Sequence, residues 1–302
     1  MITVMGASGH VGGRIADLLL ESRQKIRALG RSAEKLKDVA GKGATVLTGD
    51  ARNAAFLTEA FRGADAAFTL LPPDVLAADY RKQQDAQGEA IATAIRDSGL
   101  RHVVFLSSVG GDLAEGTGPI AGLHAQEERL RRLPGVNVLI LRPAYFFENF
   151  FDTLGLIKQQ GINGGPIVPD LPFPMIATRD IADVAARALR TRDWHGVAVR
   201  ELLGERDLTF AEATRIIGMR IGKPDLPYVQ FPYPDFTASL VQMGISANVA
   251  ELYAEMARAI NEGRVKPQER RRPENTTPTR FETFAETLAG AYQTLCPPSL
   301  TT

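Results

Sequence analysis

The first half of the chain alternates short apolar runs with longer amphipathic segments. The apolar runs carry few charges, as expected of parallel strands that are covered on both faces. Six strands are predicted, at Ile2–Met5, Lys25–Leu29, Ala44–Leu47, Ala66–Leu71, His102–Ser107 and Val136–Arg142. Helical patterns lie between them, at Val11–Glu21, Ala54–Phe61, Asp79–Ser98 and His124–Leu133. Repeated βαβ units of this kind predict an α/β fold with a doubly wound parallel sheet of the Rossmann type.

Residues typical of helix ends support two of these helices. Asn53 precedes the second predicted helix and can accept a hydrogen bond from its first amides, while Gly63 can end that helix. Gly99 is placed to stop the third helix. The predicted boundaries therefore depend on capping residues as well as on the apolar pattern.

The pattern changes after Pro143, where regular alternation gives way to shorter segments. Residues 161–174 are rich in glycine and proline and predict loop and short strand rather than helix. A helix follows at Ile181–Leu189, with Thr178 or Asp180 suited to cap it. A strand predicted at Gly196–Leu203 is expected to return to the main sheet.

These segments predict two domains of unequal size. Residues 1–150 should form the Rossmann domain, to which residues 177–203 return. Residues 151–302 should form a smaller C-terminal α/β domain that binds substrate or covers it, with helices at Phe210–Ile217 and Val249–Asn261.

Composition argues against several classes of partner. The 302-residue chain is 44% hydrophobic, and its 35 basic residues balance 35 acidic ones. No overall field attracts nucleic acid or an anionic membrane surface, so neither is an expected partner. The basic run Arg270–Arg272 lies in a segment, 264–274, that we expect to be a solvated linker. A nucleic-acid patch is the alternative, although the run lacks interleaved aromatic residues.

The sequence also indicates a cellular compartment. The chain passes from Met1 directly into a strand pattern, without the basic and apolar regions of a secretion signal. Its longest apolar runs, such as Val138–Leu141, are far shorter than the ~20 residues of a membrane-spanning helix. The single cysteine, Cys296, cannot form an intrachain disulfide, and the four histidines show no metal-ligand spacing. We expect a cytoplasmic protein without a metal, either monomeric or homodimeric.

The strongest chemical signal is the glycine-rich turn between the first strand and the first helix. It reads Gly6-Ala7-Ser8-Gly9-His10-Val11-Gly12. In dinucleotide-binding folds the first glycine permits a tight turn, the second lets the backbone approach a pyrophosphate, and the third lets helix and strand pack closely. The helix N-terminus adds free N–H groups and the positive end of its dipole, and Ser8 can add a hydroxyl. An ordinary glycine turn is the alternative.

The end of the second predicted strand indicates which dinucleotide is bound. NAD-binding proteins place an acidic residue there, about 20 residues beyond the glycine loop, to hold the ribose hydroxyls. This chain instead has Gly30-Arg31-Ser32, with Lys35 one turn later. Both cations can pair with the 2′-phosphate of NADP(H), which an aspartate would repel; the alternative is that Arg31 is only a surface charge. The predicted cofactor is NADP(H).

Further candidates lie where later strands end at the same edge of the sheet. Asp50 and Ala51 follow the third strand, where Asp50 can reach the adenine amino group or cap its own loop. The fourth and fifth strands end in residues expected to line the path of the ribose and nicotinamide: Leu70, Leu71, Pro72, Ser107 and Ser108.

With these residues placed, the chain resembles the NmrA-like branch of the atypical short-chain dehydrogenases over nearly its whole length. Besides the glycine loop and Gly30-Arg31, the matching segments are Leu106–Ser108, His124–Glu128, Leu141–Tyr145 with Glu148-Asn149, Ala177–Asp180, and Thr276–Thr279 before Phe281–Phe284. The resemblance implies a Rossmann domain and a small C-terminal domain, with substrate bound between them above the nicotinamide. The branch includes quinone reductases, triphenylmethane reductases, azoreductase-like enzymes and redox-sensing regulators.

One pair of positions departs from ordinary short-chain dehydrogenases. Those enzymes carry Tyr-x-x-x-Lys on the helix after the fifth strand, where the lysine lowers the pKa of the tyrosine for proton transfer. Here that register reads His124-x-x-x-Glu128, a pattern shared by NmrA-like quinone reductases, and a neighbouring glutamate would raise the pKa of His124. His124 is therefore a candidate to donate a proton or orient the acceptor. A surface i,i+4 contact with Glu128 is the alternative.

An aromatic run follows the sixth predicted strand. We expect at least half of its phenylalanines to pack in the core, because a run this dense cannot all face one cleft. Tyr145 and Asn149 are the preferred polar contacts to a flat substrate, since they would lie one turn apart in a helix.

Two functions are consistent with these features. The first is an NADPH-dependent reductase that passes hydride to a quinone-like or azo-like small aromatic acceptor, which needs positioning more than proton assistance. The second is a non-enzymatic NADP(H)-binding redox sensor of the NmrA type. A sugar-nucleotide epimerase or dehydratase fits less well, because that chemistry uses the missing tyrosine base.

Overall fold

A seven-stranded parallel sheet lies at the centre of the computed structural model, which describes residues 1–295 and so leaves Cys296 outside the described residues. The strands are β1 Ile2–Met5, β2 Ile26–Gly30, β3 Thr45–Thr48, β4 Ala66–Thr69, β5 His102–Leu106, β6 Asn137–Pro143, β7 Tyr145–Phe146, β8 Asn163–Gly165, β9 Phe173–Ile176, β10 Val197–Leu202, β11 Asp207–Leu208 and β12 Tyr228–Gln230. The main sheet has the order β10-β6-β5-β4-β1-β2-β3. The predicted Rossmann-type fold is confirmed.

Helices cover both faces of this sheet and build the C-terminal part of the molecule. They are α1 His10–Glu21, α2 Lys37–Gly41, α3 Ala54–Phe61, α4 Tyr80–Ser98, α5 Pro119–Arg131, α6 Leu154–Gln160, α7 Thr178–Thr191, α8 Phe210–Arg220, α9 Tyr233–Gln242, α10 Ala247–Asn261 and α11 Phe281–Thr294. Two 3₁₀ helices span Glu34–Leu36 and Phe147–Thr153. Within residues 1–295, no helix combines the length and the apolar content needed to cross a membrane.

The sheet reverses its strand order between β1 and β4. From β1 the chain builds outward through β2 to β3 on one side, and from β4 outward through β5 and β6 to β10 on the other. Val4 is therefore paired with Phe68 across the point where the two halves meet. In open parallel sheets a crevice forms at the carboxyl ends of the strands on either side of this point, and ligands bind there.

Alternating side chains of the strands bury two apolar clusters, one on each face of the sheet. Val4 and Phe68 belong to one cluster, together with residues of α1 and α7 such as Ile15 and Ile181. Met5 belongs to the other, together with residues of α3 and α4. Burial on both faces explains why the strands contain so few charges.

The capping predictions for α3 and α4 are confirmed. Asn53 Oδ1 accepts a hydrogen bond from the Phe56 amide at 3.1 Å. Gly99 ends α4 in the left-handed conformation, with φ of 73°. The predicted start of α5 at His124 is wrong, because the helix begins at Pro119, after Gly118. Proline favours the first position of a helix, where its missing N–H costs no hydrogen bond.

The predicted cap of α7 is also wrong. The helix starts at Thr178 and is preceded by Ala177, which makes no side-chain capping bond. The Glu148 carboxylate caps it instead, accepting from the Thr178 amide at 3.0 and 3.1 Å and from its hydroxyl at 2.6 Å. The Asp180 carboxylate is used elsewhere, since it accepts from the Thr279 amide and hydroxyl. A distant carboxylate at a helix N-terminus cannot be read from local sequence.

The basic segment 264–274 is not a simple solvated linker. Its backbone is fixed to the sheet, because the buried Glu201 carboxylate of β10 accepts from the amides of Gln268 and Glu269 at 2.9 Å each. Arg271 donates to the carbonyl oxygens of Leu203 and Gly204. The middle of the basic run therefore holds the C-terminal segment against the edge of the sheet.

The β5–α5 loop is covered by the C-terminal part of the chain. Gly118 has φ of 56°, and a Cβ atom there would lie 2.0 Å from the Leu252 carbonyl oxygen of α10. The Glu255 side chain of the same helix accepts from the Gly118 amide at 3.3 Å. This close approach places α10 beside the loop that follows β5.

Candidate functional site

The glycine loop lies at the crevice between β1 and β4. Gly6 has φ of +65°, and a Cβ atom there would lie 2.9 Å from Leu70 Cδ2. A Cβ atom on Gly12 would lie 2.3 Å from the Gly6 carbonyl oxygen, closer than any real contact. The chain's own packing therefore requires two of the three glycines.

Packing does not require the third glycine of the loop. Gly9 has an extended backbone that any residue adopts, with φ of −102°. The nearest atom to a Cβ at this position would be the Gly6 carbonyl oxygen at 3.4 Å, an ordinary contact. The absence of a side chain here keeps the surface of the loop open to a ligand that approaches the backbone closely.

The residues around Gly9 fit a dinucleotide pyrophosphate. Ser8, Gly9 and His10 are exposed, while Val11 and Gly12 are buried. The first amides of α1 have no acceptor within the helix, and they lie at the positive end of its dipole. No side chain caps this helix. Helix amides without an intrahelical acceptor and a missing side chain are the features that a bound phosphate needs.

The two predicted phosphate-binding cations are exposed beyond the end of β2. Two nearby acidic residues are engaged by other partners: Glu34 pairs with Lys37 at 2.5 Å, and Asp50 pairs with Arg52 at 2.5 Å. Among residues 1–295, Arg31 and Lys35 therefore have no carboxylate partner, and both are exposed. Their charges remain available to an anion.

Asp50 lies beside Arg31, because the Gly49 amide donates to the Gly30 carbonyl oxygen at 3.1 Å. Its Oδ1 atom accepts from the Arg52 amide at 2.8 Å, which is the loop-capping geometry. Hydrogen bonds from Arg52 are the main reason that the pKa of Asp50 is lowered, and the charge of Arg31 contributes. Ala51 packs against the apolar cluster that contains Met5.

The three predicted residues after β4 are placed differently from one another. Leu70 packs on Gly6, at the crevice. The Leu71 side chain is buried in the core. The Pro72 carbonyl oxygen accepts from Gln87 Nε2 at 3.0 Å, so the start of the β4–α4 loop is fixed to α4.

Ser107 belongs to a buried ionic network that sequence reasoning missed. Its hydroxyl donates to Glu127 Oε1 at 2.6 Å. Arg142 of β6 holds the same carboxylate through two bonds, Nε to Oε1 at 2.9 Å and Nη2 to Oε2 at 2.6 Å. Glu127 is 1% exposed and Arg142 7% exposed. Because the ionised carboxylate can only accept, the Ser107 hydroxyl is fixed as a donor to it.

The two other predicted polar residues of this region make local contacts. The Ser108 hydroxyl donates to the Val109 carbonyl oxygen at 3.0 Å. His124 Nδ1 lies 3.0 Å from the Gly111 carbonyl oxygen, so the imidazole is oriented by the β5–α5 loop. The alternative contact of His124 with Glu128 is wrong, because Glu128 turns to Arg131 at 3.3 Å.

Tyr145 and Asn149 are brought together after β6. The Tyr145 ring makes edge contacts with Phe150 and Phe210, with centroids 6.0 and 5.2 Å apart. Burial raises the pKa of Tyr145 to about 12, and the neighbouring Asn149 side chain opposes this shift only in part. The predicted core packing holds for Phe147 and Phe150, which are 1% and 2% exposed.

Asp152 is a further polar residue near Tyr145, and it was not among the residues predicted from the sequence. Desolvation raises the pKa of its carboxyl. Its charge adds to the effect of burial in raising the pKa of both Tyr145 and Tyr253, so all three groups lie within electrostatic reach of one another. The sequence signal that could have identified Asp152 is its position directly after the aromatic run.

Comparison with known proteins gives this geometry a family context. The sequence profile described as the NmrA-like family matches residues 1–288. The chain belongs to the NmrA-like family.

Several named relatives of this chain are reductases. An NAD(P)H azoreductase from Xenophilus azovorans is 26% identical over 260 residues, which are 84% of this chain and 86% of that protein. The structure of an NADPH-dependent quinone oxidoreductase from Escherichia coli, complexed with NADPH, has a TM-score of 0.79 at 21% identity and covers 95% of this chain and 99% of its own. The Citrobacter sp. triphenylmethane reductase complexed with NADP(H) also has a TM-score of 0.79, at 23% identity, and covers 96% and 100%.

Several residues that carried the NmrA-like resemblance have structural roles. Glu148 caps α7, Asp180 accepts from Thr279, and Arg142 pairs with Glu127. The family pattern therefore includes residues that fold the chain and join its C-terminal part to the sheet.

Proposed function

We propose that this chain passes hydride from NADPH to a flat, conjugated acceptor of the quinone or azo type. The chain is an NAD(P)H-dependent oxidoreductase, and NADP(H) is its cofactor. When bound, the cofactor supplies the hydride, and the chain's residues bind and orient the two reactants.

The observation that carries the proposal is the open surface at Gly9 together with two exposed cations. Gly9 lacks a side chain although the fold does not require it. Arg31 and Lys35 lie beyond β2 without a carboxylate partner among residues 1–295. A loop that accepts a pyrophosphate, followed by free cations suited to a 2′-phosphate, supports NADP(H) rather than NAD(H).

The polar residues near Tyr145 support an acceptor that needs orientation more than acid catalysis. The raised pKa of Tyr145, about 12, keeps its phenol neutral, so that it can donate a hydrogen bond to an acceptor oxygen or nitrogen. Asn149 adds an amide beside it, and His124 is oriented by Gly111. Edge contacts with the buried rings of Phe150 and Phe210 hold the Tyr145 ring in one orientation.

The test is NADPH oxidation measured with a panel of quinones and azo dyes, alongside the binding of NADPH and NADP⁺. We expect turnover with members of at least one of these classes. Tyr145→Phe should slow it, while Tyr233→Phe, in α9, serves as the matched control. Absence of turnover with every acceptor, combined with strong preference for one redox form of the cofactor, would overturn the reductase and favour the redox sensor.

A further inference from the structure

The end of β3 presents an unexpected charge next to the proposed phosphate site. Asp50 is ionised at neutral pH, since Arg52 and Arg31 hold its pKa below the ordinary value. It lies beside Arg31 because Gly49 and Gly30 are joined by a backbone hydrogen bond of 3.1 Å. An acidic residue at this edge would repel a 2′-phosphate and compete with it for the Arg31 guanidinium.

Arg52 holds this carboxylate with an unusually complete set of hydrogen bonds for an exposed pair. Its Nε atom donates to Oδ1 at 3.1 Å and to Oδ2 at 3.0 Å, and Nη2 donates to Oδ2 at 2.5 Å. Its backbone amide adds a bond to Oδ1 at 2.8 Å. Four bonds from one residue occupy both oxygens and direct the carboxylate toward Arg52.

Arg31 makes no hydrogen bond to the Asp50 carboxylate, although it is adjacent to Asp50 and exposed. Besides Arg52, the cation whose charge lowers the pKa of Asp50 is Arg31, which follows the strand joined to Gly49 by that backbone bond, so in the absence of Arg52 it is the candidate partner of the carboxylate. An Arg31–Asp50 pair would remove from the phosphate site the cation on which the 2′-phosphate depends.

We infer that Arg52 is a residue that determines cofactor selectivity: by binding Asp50, it leaves the Arg31 guanidinium free for the 2′-phosphate of NADP(H). Arg52 acts through Asp50 and does not itself need to touch the phosphate. This inference rests on the proposed function, because it assumes that Arg31 binds the 2′-phosphate.

The test is a double-mutant cycle of Arg52→Ala and Asp50→Asn, with calorimetric affinities for NADPH and NADH. Arg52→Ala should weaken NADPH binding by about fivefold, the scale of an exposed ion pair, and change NADH binding little. Adding Asp50→Asn should restore NADPH affinity, because the carboxylate that captured Arg31 is then gone. Arg62→Ala, which breaks an exposed pair with Glu59 at the far end of α3, is the matched control.

Two outcomes would overturn the inference. Unchanged NADPH affinity in Arg52→Ala would mean that Asp50 does not compete for Arg31. Affinity that stays low in the double variant would mean that Arg52 acts directly rather than through Asp50. Failure of the proposed function is a separate result: the unmodified protein would then show no turnover with any acceptor, or no preference for NADPH over NADH, whatever the variants do.

Discussion

Tyr145 and Glu127 show how burial decides what a polar side chain can do. Tyr145 is held among aromatic rings, which raises its pKa to about 12. Glu127 is fully ion-paired in a nearly inaccessible position. The first is therefore a neutral hydrogen-bond donor, and the second is a fixed acceptor for Ser107.

Tyr145→Phe should lower kcat/KM by about fivefold, the scale of one lost hydrogen bond, and by the same factor from about pH 6 to about pH 9. The phenol stays protonated throughout this range because its pKa of about 12 lies above it. Steady-state kinetics across this range check the prediction. A loss that grows or shrinks steadily with pH would show that the phenol titrates and that the assigned role is wrong.

Glu127→Gln should destabilise the fold by about 3 kcal/mol, because Arg142 is left buried without its main partner. The neighbouring substitution Glu128→Gln affects an exposed carboxylate that pairs with Arg131, and it should cost less than about 0.5 kcal/mol. Urea unfolding of both variants measures the difference. Equal free energies of unfolding for the two variants would show that the buried Glu127–Arg142 pair stabilises the fold no more than the exposed pair does.

At the scale of elements, the first half of the chain was largely predictable and the second only in part. The second-half elements α7, β10, α8 and α10 were predicted, and β10 returns to the main sheet as expected. Strands β1, β2, β4, β5 and β6 each form an apolar run that is mostly buried, and the edge strand β3 still carries the half-buried Val46 and Leu47, so pattern alone located them. Helix α9 was missed because it buries only Leu240 and therefore has no apolar stripe. Helix α11 was missed although its stripe is present, with Phe281, Phe284, Ala285 and Leu288 buried at helical spacing.

The candidate site, too, was predictable from the sequence only in part. The glycine loop is predictable because strand, turn and helix are adjacent in sequence. The network of Glu127, Arg142 and Ser107 is not, because its members come from three elements and sequence cannot tell which of Glu127 and Glu128 faces inward. Pairing of this kind becomes visible only when β5, β6 and α5 are assembled.

The turn into α1 offers a matched pair of substitutions. Gly12→Ala should destabilise the protein by about 2 kcal/mol, because its Cβ would meet the Gly6 carbonyl oxygen at 2.3 Å. Gly9→Ala should leave the melting temperature nearly unchanged, since its Cβ would meet only an ordinary contact at 3.4 Å, yet weaken NADPH binding by about tenfold. Thermal unfolding and calorimetry separate the two effects. If Gly9→Ala bound NADPH as tightly as the unmodified protein, the missing side chain at this position would not be needed for the pyrophosphate.

At the scale of the whole molecule, the C-terminal half is attached to the Rossmann half beside the crevice. The Ser246 amide and hydroxyl, just before α10, donate to the carbonyl oxygens of Val75 and Ala77 in the β4–α4 loop. Asn248 accepts from the Tyr80 amide at the start of α4. Together with the contact of α10 at Gly118, these bonds place the C-terminal half next to the loops that follow β4 and β5, where an acceptor would meet the cofactor.

The most direct test of this account is the affinity of the unmodified protein and of Arg31→Ala for NADPH and NADH, measured by calorimetry. Arg62→Ala, which breaks an exposed pair with Glu59 away from this site, is the control. We expect the unmodified protein and the control to prefer NADPH, and Arg31→Ala to lose NADPH affinity by about tenfold or more while NADH affinity changes little. Equal losses for the two dinucleotides, or no binding of either by the unmodified protein, would contradict the account.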